Sequence, residues 1–156
     1  MTRPFPLQPL VELSADRVDA AARKLQALDA ERRQAQDKLA QVEAFRREYG
    51  ERLQQSLAQG MTVSQMREWH AFLAKLDAAC KQQQLEVAVR EEAWLAGQTH
   101  WMELRRRQKA FDALATRHQV AEGAREGRID QRNHDELARG LARQRGEVDG
   151  GEGGEP

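Results

Sequence analysis

Residues that favour a β-sheet, a disulfide or a membrane span are scarce in this sequence of 156 residues. It has eight valines and one isoleucine, too few β-branched residues for a substantial sheet. The single cysteine, Cys80, cannot form an internal disulfide, which fits a reducing compartment. No stretch approaches the roughly 20 apolar residues of a transmembrane helix, and no basic start followed by an apolar stretch indicates a secretory signal. These absences predict a soluble, cytoplasmic chain.

The residues that are abundant are helix formers. Ala, Glu, Lys, Leu and Arg supply 81 of the 156 residues, a composition typical of a long helix or a coiled coil. The formal net charge is zero and the apolar residues are periodic, which argues against a disordered chain. The sequence therefore predicts an all-α protein.

Proline and glycine divide the chain into segments. Three prolines lie within residues 1–9, which predicts an extended N-terminal segment. Gly60 predicts a turn near residues 59–63, with Thr62 or Ser64 as the N-cap of the next helix. Gly123 and Gly127 are expected to interrupt that helix. The predicted segments after the turn are a hairpin that ends near residue 122, a basic helical extension over 123–146 and a disordered tail over 147–156.

Apolar residues recur at alternating steps of three and four on both sides of the turn, from Val11 to Leu53 and from Met66 to Phe111. Two such segments joined by a short loop predict a long two-helix antiparallel coiled-coil hairpin over residues 10–122. Folding at Gly60 makes large residues face small ones, as packed layers require. This complementarity favours a monomeric hairpin over the alternative, a dimer of long bent helices. The predicted pairs are Val18 with Leu104, Ala21 with Trp101, Leu25 with Gly97, and Leu28 with Trp94.

The sequence contains no recognisable enzyme motif. The glycine-rich C-terminus lacks the Lys-Ser/Thr pair and the following helix of a phosphate-binding loop. The four histidines lack the spacing of a zinc site, and Cys80 falls on the predicted seam, where a small buried residue is expected. A two-helix hairpin also offers no deep cleft for catalysis. The sequence therefore predicts no enzymatic activity, no cofactor and no metal.

Basic residues are concentrated after residue 104. Residues 105–146 contain 11 basic and 6 acidic side chains, a local charge of +5. This stretch is interpreted either as a solvated helix face or as a surface that docks on an acidic protein, and nucleic-acid binding is disfavoured because no groove-reading fold accompanies it.

Two phenylalanines lie off the predicted seam, at one level near the turn. Phe45 lies between seam positions Val42 and Tyr49, and Phe72 precedes Leu73. Exposed aromatic residues that cluster often mark a partner surface. The alternative is that both rings widen the local core.

Several segments, in order and spacing, resemble the FliJ family of the bacterial flagellar type III export apparatus, from about Leu7 to Arg145. The segments that carry the resemblance are Asp19-Ala20-Ala21-Ala22-Arg23, Phe45-Arg46-Arg47-Glu48-Tyr49, Trp69-His70-Ala71-Phe72-Leu73, Arg128-Ile129-Asp130-Gln131-Arg132 and Asp135-Glu136-Leu137-Ala138. The resemblance implies a non-catalytic cytoplasmic stalk and general chaperone, peripherally associated with the inner face of the cell membrane at the flagellar base.

The resemblance also implies partners: a hexameric FliI-like export ATPase, the cytoplasmic domain of the export gate FlhA, and export chaperones. The positions that match the gate-contacting patch of the family are Val42, Phe45, Tyr49, Phe72, Leu76 and Ala79, whereas Lys38 and Gln83 depart from its pattern. Two alternatives stay open, namely the equivalent stalk protein of a virulence type III secretion system and an unrelated dimerising coiled-coil scaffold.

The basic stretch is expected to contact the export ATPase, because arginines form forked hydrogen bonds with carboxylates on a partner's surface. The predicted contact residues are Arg105, Arg106, Arg107, Arg117, Arg125 and Arg132.

Overall fold

The computed structural model describes residues 2–149 and contains two α-helices over that range, with no β-strand. Helix α1 spans Gln8–Gln59 and helix α2 spans Val63–Asp149. The prediction of an all-α two-helix hairpin is confirmed. Met1 and Gly150–Pro156 lie outside the described residues, and with them most of the disordered tail predicted over 147–156. Residues 147–149 belong to α2, so the prediction of disorder is wrong for these three residues.

Helix α1 begins at Gln8, inside the segment predicted to be extended. The carbonyl of Phe5 accepts a hydrogen bond from the Gln8 N–H at 3.1 Å, and the carbonyl of Leu7 accepts from Leu10 and Val11. Pro9 fits this first turn because its missing N–H would have no partner inside the helix. The third proline is therefore part of the helix start.

The turn between the helices depends on Gly60 and Thr62. Gly60 has a φ of 97°, a left-handed conformation that side chains disfavour, and a Cβ there would meet no atom within 4 Å. Thr62 Oγ1 accepts a hydrogen bond from the Gln65 N–H at 3.2 Å, and Gln65 Oε1 accepts one from the Thr62 N–H at 3.1 Å. This reciprocal capping box identifies Thr62 as the N-cap.

Helix α2 continues through Gly123 and Gly127, so the prediction that these glycines interrupt it is wrong. A glycine inside a helix costs about 1 kcal/mol relative to alanine, which the surrounding turns of good helix formers can tolerate. The segment contains no proline, the residue that would force a break.

The chain divides into two compact units. The loop unit comprises Ala15–Arg106, and the terminal unit comprises Met1–Ser14 with Arg107–Pro156, of which residues 2–14 and 107–149 are described. In the loop unit α1 and α2 run antiparallel. Val18 and Ala21, early in α1, form a cluster with Leu104, which lies late in this part of α2.

The core of the loop unit agrees with three of the four predicted pairs, and the pair of Leu28 with Trp94 stays a prediction. Val18, Ala21 and Leu104 form a buried cluster, and Trp101 packs against it. One level further, a Cβ on Gly97 would lie 2.7 Å from Leu28 Cδ1 and 3.6 Å from Leu25 Cδ1. Gly97 thus provides the space that two leucines of α1 occupy.

Cys80, Ala35 and Leu53 are also buried in this unit, with Cys80 only 1% exposed. The predicted role of Cys80 as a small buried residue of the seam is confirmed. Polar seam positions bond across the helices: Gln83 Nε2 donates to the Ala35 carbonyl at 2.9 Å, and Arg90 forms an ion pair with Glu31 at 2.9 Å. These bonds explain how the seam tolerates polar residues.

In the terminal unit, the segment before α1 docks on α2. The ring of Phe5 lies 5.3 Å from that of His118, and the Arg3 N–H donates to Glu122 Oε2 at 3.2 Å. Glu122 also forms an ion pair with Arg125 at 3.0 Å. The hydrogen bond from Arg3, followed by the positive charge of Arg125, lowers the pKa of Glu122 below its ordinary value of 4.5.

We expect this docking to weaken when Glu122 is neutralised. A carboxyl whose pKa is lower in the folded state than in the unfolded chain stabilises the folded state at any pH above the unfolded-state pKa. This stabilisation is lost as the pH falls through the folded-state pKa. The Glu122→Gln variant should therefore show faster exchange of the Arg3 amide proton at pH 7, measured by NMR. In the parent protein, the Arg3 amide resonance should shift as the pH falls below 4.5.

The control is Glu136→Gln, which makes the same change of charge at an exposed position of α2 in this unit. It should leave the Arg3 amide unchanged. Equal exchange rates in the parent protein and in Glu122→Gln would show that the carboxylate does not hold the N-terminal segment.

Candidate partner-binding surfaces

The six residues predicted to contact the export gate all lie in the loop unit. On α1, Val42, Phe45 and Tyr49 follow one another at steps of three and four, and so lie on one helix face. On α2, Phe72, Leu76 and Ala79 follow at steps of four and three. We refer to these six residues as the aromatic surface.

Two of these residues are apolar and strongly exposed, as the sequence predicts. Phe45 is 52% exposed and Phe72 is 39% exposed. Ala79 is also exposed, whereas Val42, Tyr49 and Leu76 are half-buried. Exposed rings of this size carry a large area of apolar surface that a partner can remove from water.

Tyr49 joins the two halves of the aromatic surface. Its ring meets that of Phe72 edge to face, with centroids 4.8 Å apart and planes at 77°. The structure therefore brings residues of α1 and α2 together here, while Phe45 makes no ring contact within residues 2–149. The Tyr49 ring also lies 6.2 Å from that of Trp69, a seam residue that sequence spacing alone does not connect with Tyr49.

Lys38 and Gln83, which depart from the family pattern, occupy different environments. Lys38 is exposed, whereas the amide of Gln83 donates across the helices to the Ala35 carbonyl. Gln83 therefore has a structural role in holding α1 against α2.

Two of the six arginines predicted to contact the ATPase belong to the loop unit and four belong to the terminal unit. In the loop unit, Arg106 is exposed, and the Arg105 guanidinium lies 5.2 Å from the centre of the Trp101 ring. In the terminal unit, Arg107, Arg117 and Arg132 are exposed.

Arg125 differs from the other five arginines because it is half-buried and its guanidinium pairs with Glu122. It is therefore the least available of the set for a partner's carboxylate. The helix beyond it is open, since every residue from Gly127 to Glu147 is exposed.

Neither a metal site nor a membrane span is found in the part of the chain that the structure describes. In residues 2–149, no three His, Cys, Asp or Glu side chains come together as metal ligands would. Neither α1 nor α2, as described, has a stretch long and apolar enough to cross a bilayer.

Comparison with known proteins gives a consistent result over almost the entire chain. A family model described as "Flagellar FliJ protein" matches residues 3–147. Two similar proteins named "Flagellar FliJ protein", from Salmonella typhi and from Escherichia coli (strain K12), are each 26% identical to this chain over 136 residues. Each alignment covers 87% of this chain and 92% of the relative. No solved structure matches the chain.

Proposed function

We propose, because this chain belongs to the flagellar FliJ protein family, that it is a non-catalytic component of the bacterial flagellar type III protein export apparatus. In this role it is a coiled-coil stalk and general chaperone that links the hexameric export ATPase to the cytoplasmic domain of the export gate. It works as a monomer in the cytoplasm, at the inner face of the membrane, and also receives export chaperones. The observation that carries the proposal is the family match over residues 3–147.

The aromatic surface supports the contact with the export gate. Phe45 and Phe72 present apolar rings to solvent, and the phenol of Tyr49 adds a hydrogen-bonding group beside them. Large planar side chains exclude water from an interface and lose little conformational entropy on binding. These are the properties of residues that anchor a protein interface.

The exposed arginines support the contact with the export ATPase. A guanidinium donates two parallel hydrogen bonds to a carboxylate, so an acidic partner surface is a suitable match. Charges at the rim of an interface act mainly on the rate of association. Binding to the ATPase should therefore weaken as salt rises from low to physiological concentration.

Co-purification tests the proposal as a whole. The purified chain, carrying an affinity tag, should retain both the export ATPase hexamer and the cytoplasmic domain of the export gate from a defined mixture at low salt. Retention of neither protein would contradict the linking role.

We further propose that contact with this chain stimulates ATP hydrolysis by the export ATPase, and we expect reversal of the charge at Arg105, Arg106 and Arg107 to abolish this stimulation. Three glutamates in their place would repel the carboxylates that the arginines are proposed to bind. The measurement is ATP hydrolysis by the hexamer at low salt, with and without the triple variant. Binding to the gate domain should be unchanged, because none of the three arginines belongs to the aromatic surface.

A matched control is available on the same helix. Reversal of Arg139, Arg143 and Arg145 to glutamate makes an identical change of charge at exposed positions, and it should leave most of the stimulation intact. Normal stimulation by the Arg105–Arg107 variant would instead show that this cluster is only a solvated face.

A further inference from the structure

A groove of about 510 Å³ opens beside the turn of the loop unit. It shares Tyr49 and Phe72 with the aromatic surface and extends past them towards the turn. The groove is also lined by Trp69, Glu68, Gly60 and Met61. Three aromatic side chains and one carboxylate therefore line a single concave surface.

Within residues 2–149, arginine covers aromatic rings at three places, one of which, Tyr49, lines the groove itself. The Arg32 guanidinium lies 4.2 Å from the centre of the Trp94 ring, and that of Arg105 lies 5.2 Å from the Trp101 ring. Arg52 lies 5.0 Å from the centre of the Tyr49 ring. Within residues 2–149, Trp69 is the one tryptophan ring that has no guanidinium or ammonium group over it. Trp69 is half-buried, and the part of its side chain that lines the groove is available to a cation from another molecule.

Glu68 is also without a cationic partner in the part of the chain that the structure describes. By contrast, Asp29, Glu48 and Asp77 each form an ion pair with an arginine of their own chain. Arg67, which precedes Glu68, does not line the groove. Arg52, the basic residue closest to the rings of the groove, is held by Glu48 at 2.7 Å.

We propose that this groove binds an arginine side chain of a protein partner, with its guanidinium on the Trp69 ring and paired with the Glu68 carboxylate. Charge complementarity supports this occupant, since the groove combines a half-buried tryptophan that no cation of residues 2–149 covers with a carboxylate that has no cationic partner in that range. Arginine suits the groove better than lysine, because its planar, weakly hydrated guanidinium stacks on rings and forms forked bonds with carboxylates. Each of the three ring–cation contacts in residues 2–149 uses arginine.

The shared residues Tyr49 and Phe72 indicate where the arginine comes from. A protein bound on the aromatic surface would have its neighbouring residues beside the groove. The assignment of this arginine to the export gate rests on the proposed function, whereas the preference of the groove for arginine does not.

The first test uses a small probe and the intact protein. The tryptophans are labelled with 5-fluorotryptophan, and N-acetyl-L-argininamide is titrated while the ¹⁹F resonances are recorded. We expect the Trp69 resonance to shift with a dissociation constant in the millimolar range, while those of Trp94 and Trp101 stay in place. N-acetyl-L-citrullinamide, which has the same shape without the charge, should cause no shift.

Two substitutions relate the response to Glu68. Glu68→Gln should weaken binding of the probe about two- to fivefold, as expected for one solvent-accessible ion pair. Glu51→Gln, an equal change of charge at an exposed position that does not line the groove, should have no effect. The inference is overturned if the citrulline compound or the corresponding lysine compound shifts the Trp69 resonance as strongly as the arginine compound does. It is also overturned if none of the three compounds shifts that resonance.

A second experiment separates the inference from the proposed function. Binding of the export gate's cytoplasmic domain is compared between Glu68→Gln and Glu51→Gln. A weaker complex only for Glu68→Gln supports an arginine supplied by the gate, and equal binding by both variants overturns that assignment. If the parent protein does not bind the gate domain at all, the proposed function fails, and the probe titration alone decides the inference about the groove.

Discussion

Replacing Leu104 with alanine will lower the free energy of unfolding by about 2–4 kcal/mol. Leu104 is 8% exposed and belongs to the cluster with Val18 and Ala21, against which Trp101 packs. The substitution removes apolar contacts and leaves a cavity that the large, rigid Trp101 ring cannot readily fill. Urea denaturation followed by circular dichroism at 222 nm would measure the loss.

Such a loss would be large for this fold, because the stability of natural proteins is only about 5–15 kcal/mol. The control is Leu95→Ala, which makes the same change on α2 at a side chain that is 54% exposed. It should change the free energy of unfolding by no more than about 0.5 kcal/mol. If the two variants lost stability equally, the cluster around Leu104 would not be a significant part of the core.

The packing of the loop unit could be predicted because two simple constraints determine it. Alternating steps of three and four place one stripe of residues on each helix, and a short turn forces the helices to lie antiparallel. Counting outwards from Gly60 pairs Leu25 with Gly97, and Leu25 Cδ1 indeed lies 3.6 Å from the point that a Gly97 Cβ would occupy. Leu28, which the count pairs with Trp94, comes closer still to this point, at 2.7 Å.

The continuity of α2 could not be predicted in this way. Gly123 and Gly127 have low helix propensity, but propensity is a weak local preference that the adjacent turns override. Pro9 is a similar case, since proline disrupts the interior of a helix but is favoured in its first turn. In both cases the context of the residue decides the conformation.

The partner surfaces were partly predictable for a related physical reason. Spacing identifies which residues lie off the seam, and so Phe45 and Phe72 were expected to be exposed, as they are. Spacing does not specify which neighbour the far end of a long side chain contacts. It therefore did not reveal that Arg125 pairs with Glu122, or that Trp69 reaches Tyr49.

The second large effect is expected at the aromatic surface. Truncation of an anchoring aromatic residue removes about 1–3 kcal/mol of binding free energy, so Phe45→Ala and Phe72→Ala should each raise the dissociation constant for the gate domain about 5- to 150-fold. Isothermal titration calorimetry with the purified gate domain would measure both variants and their combination. Their free-energy costs need not add, because both rings belong to one surface.

The thermal stability of these variants distinguishes a binding role from a structural one. Phe45 is more than half exposed and makes no ring contact in residues 2–149, so its removal should leave the melting temperature nearly unchanged. Phe72 packs edge to face on Tyr49, and its removal should cost about 0.5–1.5 kcal/mol of stability. The double variant Leu85→Ala, Val89→Ala removes two exposed apolar side chains of α2 outside the aromatic surface and should bind the gate domain normally. If the Phe45→Ala, Phe72→Ala protein also binds normally, these rings do not anchor the gate. If that protein is unfolded, the rings serve folding and not recognition.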